Sequence, residues 1–303
     1  FFHWPADKWR DFYYRVADEA PVNTVYLGEV VCAKRAPFYT HLYADTAERL
    51  RKSGKKVIFS TLGEVALKLD RRAVTDICAL DGVTIEANDA SALWHLSGKP
   101  HAIGQMMNVY NEDTLRFLAK NGAQHVCLPA ELPKSALQTL GAVAGDLNIT
   151  LEVQVYGRVS LALSARCYHA RAHNRTKDSC QFVCGEDYDG MNIYTLNKKP
   201  FLAINGIQTL SHNCLNLVQE MADLSHMNIS AFRLSPHNHD MVKVAQLFRD
   251  TLDNKITATE ATITLKETGL NVPFCNGFYH KKNGYEWVKK PARHEPKRTS
   301  RKK

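Results

Sequence analysis

The chain has 303 residues, with 39 Lys and Arg against 31 Asp and Glu, giving a formal net charge of +8. Residues 281–303 hold ten basic and two acidic side chains, so the 280 residues before them carry 29 of each sign. At 45% hydrophobic and 23% charged, the body has the composition of a globular protein. No run approaches the ~18 apolar residues of a membrane-spanning helix, and the neutral body lacks the broad basic face of a nucleic-acid enzyme. The chain opens at Phe1 rather than Met, so a few preceding residues are expected, and the expected location is cytoplasmic.

In chain order, short apolar runs predict strands at 24–27, 56–60, 83–87, 101–106, 125–128, 151–156, 201–205 and 231–234. Helical periodicity falls between them, near 40–53, 62–79, 89–97, 112–121, 133–146, 213–225 and 239–253. Asn111 and Asp240 stand where N-caps are needed, and Gly54 and Gly122 follow the ends of helical runs. Strands alternating with helices argue for a parallel α/β protein. The number of strands favours a single (β/α)8 TIM-barrel-like domain over a doubly wound open sheet. The expected organisation is a barrel over 1–280 and a basic disordered tail over 281–303, whose composition cannot bury enough apolar surface to order it. The largest departure from the alternation is 158–200, a polar insertion after the sixth strand. Long insertions at such junctions are usually functional.

That insertion carries Cys167, Cys180 and Cys184, spaced C-x12-C-x3-C. Cys32 directly follows the first strand, which on a barrel puts it on the same C-terminal face as the loop after the sixth strand. Four soft thiolates suit the four irons of a [4Fe–4S] cluster. Structural zinc usually takes two close C-x2-4-C pairs, and only Cys180/Cys184 has such spacing. On spacing alone a cluster, a zinc site and no metal all remain open, with Cys214 or Cys275 as alternatives to Cys32. Cys78 and Cys127, within a helical and a strand pattern, read as small buried hydrophobes. The familiar hydrolase, zinc-protease, phosphate-loop and dinucleotide motifs are missing, and no catalytic residue is assigned. His169/His173 and His237/His239 read as solvated loop groups, with a supporting role beside a cluster for the first pair if either acts.

The segments Tyr26-LGEVVCAKR, Ser164-ARCYHARAHNRTKDSCQFVC and Ala203-INGIQTLSH resemble those of the collagenase-like peptidase family, in a branch that serves ubiquinone biosynthesis. The resemblance runs along most of residues 1–280. It implies that Cys32, Cys167, Cys180 and Cys184 hold a [4Fe–4S] cluster. It further implies oxygen-independent hydroxylation of a ubiquinone precursor in anaerobic ubiquinone biosynthesis, not proteolysis. The implied partners are a homologous UbiU-like iron–sulfur protein (forming a heterodimer) and a UbiT-like lipid carrier presenting the prenylated quinone intermediate. Prephenate is the implied oxygen donor, and nucleic acid is not an expected partner. Glu29 and Arg166 are expected near the cluster, Arg166 facing its sulfides or the anionic donor, with Asn205 and Gln208 at the same face. The alternatives are hydroxylation of an RNA base, as in other members of the family, and a non-catalytic cluster-bearing scaffold for the partner.

Overall fold

The computed structural model describes residues 2–268 and 271–289. Six strands run parallel in sequence order: β1 (Thr24–Gly28), β2 (Lys56–Ser60), β3 (Thr84–Ala87), β4 (His101–Ile103), β5 (Ala123–Leu128) and β6 (Thr150–Leu163). Side chains are buried along most of β2, β3 and β4, as apolar runs between helices require, and alternately along β1. Outside them pack α1 (Ala6–Glu19), α2 (Tyr43–Lys52), α3 (Lys68–Cys78), α4 (Ala90–Leu96), α5 (Glu112–Lys120) and α6 (Lys134–Leu147). Asn111 caps α5 by accepting from the Thr114 amide at 2.9 Å, as its position in the sequence suggests.

β6 is 14 residues long and changes partner along its length. Its first half pairs in parallel with β10 (Ile229–Leu234), whereas Tyr156–Leu163 pair antiparallel with β9 (Gln208–Asn216). The switch occurs at Gly157, whose φ of +104° suits glycine and whose missing Cβ admits the Ser235 carbonyl; a Cβ there would lie 2.6 Å from that oxygen. Beyond the switch, β9, β8 (Pro200–Asn205) and β7 (Met191–Tyr194) form an antiparallel meander, and β11 (Phe274–Cys275) lies parallel to β9. The short helix α7 (Tyr168–Ala172) sits in the connection from β6 to β7. After β9 come α8 (Met221–His226), then β10, α9 (Met241–Leu252) and α10 (Ala258–Lys266).

The result is a mixed α/β, barrel-like sheet rather than the closed (β/α)8 barrel expected. The strand expected at 201–205 exists, but it belongs to the meander and contributes nothing to the parallel wall. Among the described residues, β1 pairs only with β2 and β10 only with β6, so the wall of seven parallel strands stays open between β1 and β10. Packing of α1 on α9 covers that seam, and Arg249 reaches across to the Asn23 side chain at 2.8 Å. The run expected as a helix over 213–225 begins as the end of β9 and turns helical only at Met221.

One large apolar core joins the sheet to its helices, and a smaller cluster of Phe2, Trp4, Ala203 and Leu210 pins the N-terminal residues to the meander. Part of the segment assigned to the basic tail lies against the body. Trp287 packs on the core, and Asn276 accepts from the Val288 amide at 2.7 Å while donating to the Val288 carbonyl at 2.9 Å. Residues 290–303 lie outside the described residues.

Candidate metal centre

The turn after β1 is organised by Glu29, a buried carboxylate whose Oε1 accepts from the amides of Val31 at 2.7 Å and Cys32 at 3.0 Å. This holds Cys32 at the C-terminal end of the parallel strands. The insertion arrives from the other side. Cys167 caps the N-terminus of α7, its sulfur accepting from the Ala170 amide at 3.4 Å. Gln181 and Phe182 adopt left-handed backbone at φ 48° and 53°, turning the chain sharply between Cys180 and Cys184. Cys32, Cys167, Cys180 and Cys184 thereby line one small cavity, together with Lys34, Arg35, His169, Lys177, Phe182, Val183 and Gly206.

The surroundings of the four thiols are cationic. Arg35 is 1% exposed, hydrogen-bonded to Cys184, and donates to Asn205 Oδ1 at 2.9 Å. Burial opposes its charge, but Cys184, Glu29 and Cys32 outweigh burial and raise its pKa. Lys34 Nζ is held by the carbonyls of Lys177 and Asp178 at 2.8 and 3.0 Å and lies 3.8 Å from Cys180 Sγ. Burial pushes the Cys32 and Cys184 thiols up, against the pull of Arg35. A buried guanidinium beside buried sulfur is stable when the sulfur is anionic, as it is when ligating a metal.

No three of these sulfurs lie within 4.8 Å of one another. A tetrahedral zinc with bonds of ~2.3 Å would draw its four sulfurs to about 3.8 Å apart. The four sulfurs are therefore not gathered as around one zinc ion, and a set of four thiols with cationic neighbours has the donor chemistry that soft metals and iron–sulfur clusters take. Among the described residues, the three-residue group with ligand atoms that close comprises His169, His173 and Asp187.

The other residues singled out from sequence fall as follows. Cys214 and Cys275, the alternatives to Cys32, are buried in neighbouring strands away from the cavity. Cys78 and Cys127 are buried within α3 and β5. Arg166 is exposed and does not line the cavity; the guanidinium at the thiols is Arg35, three residues past Cys32 in the sequence. The expectation of solvated histidines is corrected for two of them. His169 is buried against Asp187 at 2.9 Å, and His237 is buried between Asp189 and the Arg158 amide at 3.1 and 3.0 Å. Asn205 and Gln208 do sit at the expected face, joined by a 3.3 Å hydrogen bond.

Both also line a second, much larger cavity of about 1030 Å³ that fills the barrel-like wall and its open seam. Asn205 therefore links the two spaces, facing the large cavity and holding Arg35 of the cysteine cavity.

The family model described as Peptidase family U32 matches residues 7–289. The chain belongs to this family. No solved structure matches it. The U32 match spans both cavities and every cysteine of the set.

Proposed function

We propose that this U32 protein is a UbiV-like iron–sulfur subunit, with Cys32, Cys167, Cys180 and Cys184 holding a [4Fe–4S] cluster. In this reading it acts with a UbiU-like partner and a UbiT-like carrier in oxygen-independent hydroxylation of a ubiquinone precursor. The observation that carries the reading is the convergence of one cysteine after β1 and three from the insertion on a single cavity, ringed by Arg35, Lys34 and Lys177. When bound, such a cluster supplies one-electron chemistry.

The chain's own residues do the rest. Glu29 fixes the backbone that carries Cys32. Arg35 and Lys34 offset the negative charge of the thiolates and donate hydrogen bonds to sulfur, which raises the reduction potential of such a centre. Phe182 packs against Phe38 and His3, with Phe38 and Phe182 edge to face at 4.8 Å. Phe182 also lines the thiol cavity. Asn205 connects it to the large cavity, where a ring substrate would lie.

Purification without oxygen should give brown protein with about four irons per chain. Replacing any one of the four cysteines by Ala should lower iron content sharply. Colourless protein that resists reconstitution would reject the cluster. Normal quinone levels in a strain lacking the protein, grown without oxygen, would reject the pathway while leaving the cluster in place.

A further inference from the structure

Two imidazoles of the cysteine insertion stand with a carboxylate in an arrangement that the thiols do not explain. His169 and His173 are four residues apart, the first inside α7 and the second at its C-terminal cap. Their rings lie 13° from parallel with centroids 5.8 Å apart, so both stand on one face of the helix. Asp187, in the turn after Cys184, places Oδ2 2.9 Å from His169 Nε2. One ligand atom from each of the three lies within 4.8 Å of the other two. A tetrahedral ion with bonds of about 2.0–2.1 Å sets such atoms about 3.3 Å apart. The adjustment needed is therefore about 1.5 Å or less, and His173 and Asp187 are only partly buried and free to make it.

A purely structural role would leave these rings fully bonded, as it does at His237. There Nδ1 meets Asp189 at 3.1 Å and Nε2 accepts from the Arg158 amide at 3.0 Å. At His169, by contrast, Nδ1 is buried with no protein partner, and neither ring nitrogen of His173 is hydrogen-bonded to the protein. Two imidazoles and a carboxylate are the borderline donors that zinc(II) takes, and three protein ligands leave one position for water. The Asp187 side chain is 34% exposed, so water can reach that position. Arg35 is the cation that acts on His169, and its charge is already answered by Cys184, Glu29 and Cys32.

We propose that His169, His173 and Asp187 bind one divalent transition-metal ion of the zinc class, with water in the fourth position, as a clasp on the cysteine insertion. The ion joins the residue two past Cys167 to the residue three past Cys184, closing the chain around Cys180 without using a sulfur. The donor set is separate from the four cysteines and stands whether or not they hold a cluster.

The test uses the full chain, purified without oxygen, with its iron–sulfur centre loaded and iron assayed. Zinc(II) is the probe, titrated in competition with a chromogenic chelator. One zinc per chain should bind, and zinc X-ray absorption should show only nitrogen and oxygen at about 2.0–2.1 Å, without sulfur at about 2.3 Å. Asp187→Asn, which still accepts from His169, should weaken zinc about tenfold or more while iron content stays unchanged. His173→Ala, at a partly buried cap, should do the same and serves if the first variant fails to fold. No zinc taken from the chelator, sulfur in the zinc shell, or unchanged zinc affinity in the folded variants would each overturn the proposal. Stoichiometric zinc with nitrogen and oxygen ligation in protein that takes up no iron, its thiols alkylated, would leave it standing and reject the cluster instead.

Discussion

Gly206→Ala should damage the cysteine cavity from a residue that carries no ligand. Gly206 has φ +64°, where an L-residue costs roughly 1–2 kcal/mol. A Cβ built there lies 2.6 Å from Arg35 Nη2 and 3.3 Å from Arg35 Cζ, well inside ordinary contact. Arg35 cannot easily give way, because Asn205 and Cys184 hold its guanidinium in a fully buried site. Overpacking of this kind adds about 1–3 kcal/mol, for a total of about 2–5 kcal/mol. Gly54→Ala provides the control. Gly54 has φ +80° with nothing within 4 Å, so it should show only the backbone cost of about 1–2 kcal/mol. Urea unfolding of both variants measures the difference, and iron content and the visible spectrum report on Arg35. Equal destabilisation, with Gly206→Ala retaining full iron, would refute the claim that Arg35 is pinned and that its position matters to the thiols.

Three further outcomes are expected. Cys214→Ala should retain iron where Cys32→Ala loses it, since Cys214 lies buried in β9 outside the cysteine cavity; iron analysis of the pair decides between them. Arg233→Leu should cost about 3–5 kcal/mol in urea unfolding, because it strands Glu86 and Glu152 as buried charges. Glu152 is held down to about 2 although burial alone would push it up; Arg233 and His125 overcome burial. A loss under 1 kcal/mol would show that water reaches these carboxylates. Finally, burial, with help from Arg35, lowers His3 to about 4 from an ordinary 6.5. The unfolded chain then binds the proton more readily, so stability should fall as pH drops from about 6.5 to about 4 and level off below. That contribution amounts to no more than about 2 kcal/mol after solvent screening. His3→Phe should flatten this part of the stability curve measured by urea unfolding.

The parallel strands were legible in the sequence because each is a short apolar run between helical periods, and β1, β2 and β3 lie within a residue of their expected bounds. Barrel closure was not legible. Periodicity reports which residues face inward but not which strand a neighbour pairs with, and the strand at 200–205 looks the same whether it joins a wall or a meander. β9 was hidden by its polar alternation, QTLSHNCLN, and α10 by the β-branched residues in ATEATITLK. α1 carries an apolar stripe in Trp9, Tyr13, Val16 and Ala17 that periodicity could have revealed. At the site, cysteine spacing pointed to three residues of the insertion; placement after the first strand offered Cys32 but left Cys214 and Cys275 open, and the family resemblance preferred Cys32. The buried charges were missed, yet they left a signal. Glu86, Glu152 and Arg233 interrupt otherwise apolar strands, and a charge inside a buried strand needs a partner across the interior.

The wide separation of Cys32 from its companions has a consequence for biosynthesis. Cys167 follows Cys32 by 135 residues. At ribosomal rates of about 5–20 residues per second, the first thiol emerges roughly 7–27 s before the second. Throughout that interval the turn after β1 can form, since Glu29 grips the Cys32 backbone from only three residues away. The nascent chain would then display a positioned but unaccompanied thiol beside Arg35, a setting in which thiols oxidise readily. Maturation in the presence of oxygen is therefore a race between arrival of the insertion and loss of the first sulfur.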